Sequence, residues 1–316
     1  MVESKHQWKA WLYLAPAIIL LLVFTVYPIV NTVRISLLEG YGAIAEMGLE
    51  PDEYFEFGLG NFEKVLEYSK FLQCLKNTVL LCVTTVPIST ILALLIAVAL
   101  NSIKPLQKTL QTIFFLPYVT NSIAIGMVFA AMFNIVGFNE ANIMDSQSLG
   151  IVNNVIQFFG GTPISWINQG SSYAANITVM IVYIVWNALP FKILILLGGL
   201  QSINKQYYDA AKVDGTPKWR VLTRVTVPLL SPMLAYVIIT GFIGGFKEYS
   251  SIIGIFGDKM GPTHDPGLLN TMVGFVYEAI ESDRQGLASA GALILFGIIL
   301  VVTLINNYVI KRFTHY

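Results

Sequence analysis

The chain has 316 residues, 55% of them hydrophobic and only 12% charged, with a mean hydropathy of +0.66 and a formal net charge of zero. Soluble domains carry about twice that charge fraction, so the composition excludes an ordinary soluble enzyme and points to a polytopic membrane protein. No nucleic-acid partner is expected.

Runs with few or no charges, each long enough to cross a bilayer (about 20 residues), lie at about 10–35, 77–101, 109–136, 173–200, 225–250 and 285–310. The expectation is an all-α membrane protein with six transmembrane helices, built as a single domain over residues 1–316. The first run follows a short basic stretch and starts with Trp8, Trp11 and Tyr13, the aromatic anchors of a membrane interface. It is too long for the core of a cleaved signal and lacks a small-residue cleavage pattern, so it reads as a retained span kinked at Pro28.

An acidic and aromatic segment follows at 38–71, where a short helix capped by Asn61 is expected to turn Phe62, Val65, Leu66 and Ser69 to one side. That helix reads either as a contact for an external partner or as a helix lying on the membrane surface. Lys76-Asn77-Thr78 opens the second span, and Ile103-Lys104-Pro105 turns into the third, which carries Phe114-Phe115-Leu116-Pro117-Tyr118. The segment 137–172 places Trp166 at an interface, and the fourth span carries the run Trp186-Asn187-Ala188-Leu189-Pro190-Phe191-Lys192. The fifth runs through Gly241, Gly244 and Gly245 to Lys247-Glu248-Tyr249, and the sixth begins at Gly286. Small residues four apart, Gly241/Gly245 and Gly286/Ala290, suit close helix approach in a bilayer.

The charges are unevenly shared. Lys5, Lys9, Lys104, Lys108, Lys205, Lys212, Lys218, Arg220, Arg224, Lys311 and Arg312 fall on one side of the predicted spans, with only Glu3, Asp209 and Asp214 as acids. Most remaining acids, among them Glu46, Glu50, Asp52, Glu53, Glu56, Glu63 and Glu67, fall on the other. Excess Lys and Arg marks the cytoplasmic side, so both termini and the 202–224 loop are expected inside.

No GxxxxGK[ST], GxSxG or HExxH motif occurs. Cys74 and Cys82 suggest no disulfide framework, and His6, His264 and His315 are scattered. No catalytic residue, metal site or cofactor of its own is therefore expected. Lys192, Lys247 and Glu248 interrupt apolar spans, where a charge costs about 2.5–3.5 kcal/mol at mid-bilayer. Lys192 is expected to snorkel to an interface, while Lys247 and Glu248 either line a polar cavity or mark the end of the fifth span.

Within the basic loop, the sequence from Gln206 to Val213 reads as a short helix ended by Asp214-Gly215, because Gly takes the left-handed conformation easily. Asn204 can cap its start, and Thr216-Pro217 reads as the N-cap and first residue of a second helix. Ala210 and Ala211 leave a small-residue face for another protein to approach.

This loop resembles the "EAA" loop of ABC importer permeases. Asp209-Ala210-Ala211, Gly215 and Val227-Pro228 stand at the pattern's Glu-Ala-Ala, Gly and Leu-Pro positions, with Asp replacing Glu and Thr216 replacing the usual Ala. The Asn-Thr entry to the second span and Leu116-Pro117-Tyr118 resemble the carbohydrate branch of that family. The resemblance implies a type I ABC importer permease fold in the plasma membrane of a prokaryote, surrounded by membrane lipid. It further implies a second homologous permease, an extracellular solute-binding protein and two cytoplasmic ATPase subunits that bind ATP and Mg. Asp209, Ala210, Ala211, Asp214, Gly215 and Pro228 would couple to the ATPases.

A sugar or oligosaccharide is the implied substrate. Such a solute needs hydrogen-bonding groups and flat apolar faces, and Tyr118, Asn121, Trp186, Asn187, Phe191 and Glu248 are of those kinds. The sugar-binding positions of the maltose-importer type fall on Asn187, Ala188, Phe191, Gly241, Gly245 and Glu248, with Tyr118 matched through Leu-Pro-Tyr. The two glycines stand where that relative has polar side chains, which alters the site. An importer of another solute such as glycerol phosphate, or an ATPase-independent secondary transporter, are the alternatives.

Overall fold

The computed structural model describes residues 7–42, 56–103, 107–137 and 143–313. Glu46, Glu50, Asp52, Glu53 and the Lys104-Pro105 turn lie outside them. Among the described residues the structure is helical, and extended pairing is limited to two isolated bridges, Leu38 with Phe57 and Val136 with Ser148.

Four helical stretches are long and apolar enough to cross a membrane: Trp8–Leu37, Phe71–Ser102, Tyr173–Ser202 and Gln285–Val309. Two further stretches pass the same test only as bent pairs, Thr109–Val119 with Ser122–Phe133 at 98° and Lys218–Leu229 with Ser231–Phe246 at 73°. The third and fifth spans expected as single rods are therefore broken. Asn121 causes the first break, since its side chain accepts from the N–H groups of Ile123 (2.8 Å) and Ala124 (3.4 Å) and so starts a new helix. The second break falls at Leu230, just before Ser231-Pro232, where Pro is preset for the first turn of a helix. The fifth span also ends sooner than expected, at Phe246, and a separate short helix follows.

The chain resolves into two compact units, Met1–Phe71 with Phe275–Phe296 and Leu72–Gly274 with Gly297–Tyr316. In the smaller unit α1 (Gln7–Leu21) continues through a π turn at Leu22–Val26 into α2 (Tyr27–Leu37), and α3 spans Gly60–Glu67. Pro28 has no N–H to give, and the wider π turn just ahead of it takes up its ring. Asn61 is not the cap of α3. Leu59 holds that place, and Asn61 is buried, its Nδ2 donating to the carbonyls of Ser36 (3.1 Å) and Leu38 (2.8 Å). Of the residues expected to share one face, Val65 is buried, while Leu66 and Ser69 are exposed.

The larger unit is built on α4 (Phe71–Ser102), the bent pair α5 (Gln107–Val119) and α6 (Ser122–Phe133), and α7 (Gly150–Phe158). Next come α8 (Tyr173–Ser202), α9 (Lys205–Val213) and α10 (Lys218–Val221). A π turn at Leu222–Thr226 leads into the single turn α11 (Val227–Leu229), again just ahead of a proline, Pro228. Then follow α12 (Ser231–Phe246), α13 (Ser250–Phe256), α14 (Met272–Glu281) and α15 (Gln285–Phe313). α14 and α15 each continue from one unit into the other.

Two apolar clusters are stacked along α4 and α8 of the larger unit. One gathers Leu81, Met180, Tyr183 and Ile252; the other gathers Ala93, Ala97, Ile193, Leu196, Leu197, Leu230 and Val237. α13 docks on α6 with backbone against backbone: a Cβ placed on Gly126 would sit 2.7 Å from Gly254 Cα. Cys74 and Cys82 are buried and form no disulfide.

Candidate functional site

Between the two apolar clusters the larger unit holds a cavity of about 300 Å³. α4 contributes Thr85, Val86 and Ser89; α5 contributes Tyr118; α8 contributes Ile184, Asn187, Ala188, Phe191 and Lys192. α12 supplies Val237, Thr240, Gly241, Gly244 and Gly245, and Glu248 closes one end. Pro87 in α4, Pro117 in α5 and Pro190 in α8 all fall at or beside this level, where a missing N–H loosens each helix.

The structure brings Tyr118, Asn187, Phe191, Gly245 and Glu248 to this one cavity. Tyr118 and Phe191 stack with ring centroids 5.7 Å apart and planes 20° apart, and Tyr118 is half exposed. Glu248 Oε1 accepts from Ser251 N at 3.1 Å, holding the first turn of α13, and its carbonyl accepts from Thr271 Oγ1 at 2.8 Å. Asn121 and Trp186 do not line the cavity. Asn121 is spent on the cap of α6, and the Trp186 ring packs on Phe129 at 5.0 Å. Lys247 is exposed and also stands outside the lining.

Lys192 does not snorkel. It is buried, and its three ammonium N–H groups meet three neutral oxygens: Ser89 Oγ at 2.7 Å, Thr90 Oγ1 at 2.9 Å and Val86 O at 3.2 Å. The ring of oxygens compensates the charge within reach of the side chain, so extension to an interface is unnecessary. Ser89 and Thr90 in turn donate to the carbonyls of Thr85 and Val86. Thr85 and Ser89 were not singled out from the sequence. The signal is present, for two hydroxyl residues four apart share a helix face and here flank Pro87.

The basic loop forms a second site. Asn204 Oδ1 accepts from Gln206 N at 3.0 Å and caps α9. At the other end Thr216 N donates to Ala211 O (3.0 Å) and Gly215 N to Lys212 O (3.2 Å), with Gly215 at φ +63°. This is the paired closure that requires a left-handed residue after the helix. Thr216 is not the cap of the next helix; Pro217 takes the N-cap place and α10 starts at Lys218. Ala211 is buried, which leaves Ala210 exposed beside Asp209, Asp214, Val213 and Trp219. Pro228 is exposed at the start of α11, and Tyr208 OH lies 3.4 Å from Thr226 Oγ1.

Residues 80–315 match the family described as binding-protein-dependent transport system inner membrane component. The chain is 31% identical over 259 residues to the lactose transport system permease protein LacF of Rhizobium radiobacter, covering 81% of this chain and 78% of that protein. It is 26% identical to the arabinooligosaccharides transport system permease protein AraP of Bacillus subtilis, covering 94% and 86% of the two chains. In fold it matches a chain of a bacterial ABC transporter involved in import of the acidic polysaccharide alginate, with a TM-score of 0.73, 20% identity and coverage of 98% and 96%.

Proposed function

The chain belongs to the family of inner membrane components of binding-protein-dependent transport systems, and from that premise we propose that it carries a sugar or oligosaccharide through the cavity on α4, α5, α8 and α12. The carrying observation is the pairing of a half-exposed aromatic stack, Tyr118 on Phe191, with Asn187 and Glu248 around one cavity. A sugar offers apolar C–H faces to rings and hydroxyls to amides and carboxylates, and this lining offers both. Of the three glycines in the lining, Gly244 leaves open space where a Cβ would stand, while Gly241 and Gly245 let α12 sit close against Val86 and Cys82 of α4.

The six stretches cross the membrane as six spans with both termini and the α9–α10 loop inside. A second, homologous permease completes the pathway, a solute-binding protein delivers the sugar from outside, and two ATPase subunits bind ATP and Mg inside. ATP closes the ATPase pair, and α9, gripped through Asp209, Ala210 and the Gly215 turn, passes the motion to α8 and α12. The chain itself does no chemistry. The lactose and arabinooligosaccharide names of the relatives support a sugar over other solutes. Against a phosphorylated solute stands Lys192, whose three N–H groups are already taken by protein oxygens.

The test is sugar uptake by Tyr118→Ala, Asn187→Ala and Glu248→Ala variants in cells carrying the complete importer. Uptake should fall in each, while ATP hydrolysis stimulated by the binding protein persists. Wild-type uptake in all three would remove the cavity from the transport path.

A further inference from the structure

α7 turns large apolar residues away from the protein, with Asn154 the polar residue among them. Ile151, Val155 and Phe158 recur along one stripe, with Phe159 beside them, and they are 58%, 51%, 84% and 81% exposed. Asn153, Asn154 and Gln157 make up α7's polar content, and an exposed stripe of large apolar residues on such a short helix marks a contact with something apolar. The described structure places no protein over this stripe.

Three observations identify what covers it. The connection from α6 to α8 has its acids, Glu140 and Asp145, ahead of α7, and the part from 146 to 172, which includes α7, contains no Asp, Glu, Lys or Arg. The segment is held by neutral amides instead. Asn153 is buried: its Oδ1 accepts from Ile164 N and Trp166 Nε1, both at 3.0 Å, and its Nδ2 donates to Ile164 O at 2.9 Å. Asn168 closes on Ile135 in the same way, through N–H and C=O at 3.0 Å each. Internal satisfaction of polar groups is what a segment in an apolar medium requires. Finally, α7 packs on α6, whose own Met127 and Val128 are each 61% exposed and which, with α5, forms a bent pair apolar enough to span a bilayer.

We propose that α7 lies in the boundary between lipid headgroups and acyl chains, with Ile151, Val155, Phe158 and Phe159 turned into the bilayer. This rests on the reading of α5–α6 as a membrane span. Phe158 and Phe159, in edge-to-face contact at 5.4 Å, act as an aromatic anchor at the interface. With no basic residue to seek anionic headgroups, the attachment depends on apolar area alone and is indifferent to lipid charge.

The experiment places single nitroxide-labelled cysteines at 151, 155 and 158 of the full chain lacking Cys74 and Cys82, reconstituted in phosphatidylcholine bilayers. Collision rates with oxygen and with a water-soluble nickel chelate are then compared, using labels at Val128 and Lys212 as lipid and water references. Oxygen collisions several-fold above nickel collisions at all three sites, unchanged when phosphatidylglycerol is added, are expected. Nickel access at 155 and 158 equal to that at 212, with 128 still oxygen-rich, overturns this proposal alone. Nickel access at 128 as well overturns the span reading with it. Sites 155 and 158 closed to both reagents would mean a protein partner covers the stripe, and would also overturn the proposal.

Discussion

At the scale of the residue, Lys192 decides how the cavity wall is held. Its ammonium meets Ser89, Thr90 and Val86 with no carboxylate in the set. A hydrogen bond to a charged group contributes about 1.5–3 kcal/mol, and a buried charge left without partners costs more than the partners left without the charge. Ser89 and Thr90 keep their own bonds to α4 carbonyls when the ammonium is absent. Two variants should therefore behave asymmetrically. Ser89→Ala with Thr90→Val leaves the cation with Val86 O alone and should cost about 3 kcal/mol, whereas Lys192→Met should cost about 1 kcal/mol. Adding Lys192→Met to the double variant should restore much of the loss. Thermal unfolding in detergent micelles reads the order, and a lysine variant less stable than the hydroxyl pair would show that the oxygens are not its cage.

At the scale of the element, glycines separate folding from transport. Gly254 and Gly126 bring α13 and α6 into backbone contact, and a Cβ on Gly254 would meet Gly126 Cα at 2.9 Å. Gly254→Val should therefore overpack that contact, at about 1–3 kcal/mol, and lower the unfolding temperature. Gly244 lines the cavity and has nothing within 4 Å of its Cβ position. Gly244→Leu should leave the unfolding temperature near that of the parent and reduce sugar uptake; equal uptake would mean that solute does not pass there. Gly215, at φ +63° in open space, is the third case. Gly215→Val should disturb the turn between α9 and α10 through backbone strain alone. The chain should stay inserted while ATPase co-purification and uptake fall, and normal values of both would remove the loop from coupling. These elements were unequally legible. The spans α4 and α8 are long and mostly apolar, which hydropathy reads well even across Lys192. The bends at Asn121 and Leu230 were missed because hydropathy measures how apolar a stretch is and not where it points, although Asn121 and Ser231-Pro232 carry ordinary helix-start chemistry. In the cavity, aromatic and amide residues stood out beside their prolines, while Thr85 and Ser89 passed as common span hydroxyls because only the fold sets Lys192 against them.

At the scale of the whole molecule, orientation rests on charge. The α9–α10 loop and its approach carry Lys205, Lys212, Lys218, Arg220 and Arg224 against Asp209 and Asp214. Between α13 and α14, by contrast, Asp258 and Asp265 face a single Lys259. Short loops rich in Lys and Arg stay on the cytoplasmic side during insertion. The proposed six spans would put both ends of the chain on that same side, with residues 108, 218 and 311 expected inside and residues 50, 145 and 265 expected outside. The two native cysteines are buried, so a background with both replaced accepts reporter thiols without competing reaction. Lys218 is exposed on α10 and Asp265 is exposed in the loop after α13, which makes them a matched pair. In intact cells an impermeant maleimide should label a cysteine at 265 and not one at 218, and permeabilising the cells should expose both. An odd number of spans would leave 311 reactive from outside while 218 stays protected. Labelling at 218 from outside would invert the whole arrangement, and α9 could then no longer meet an ATPase in the cytoplasm.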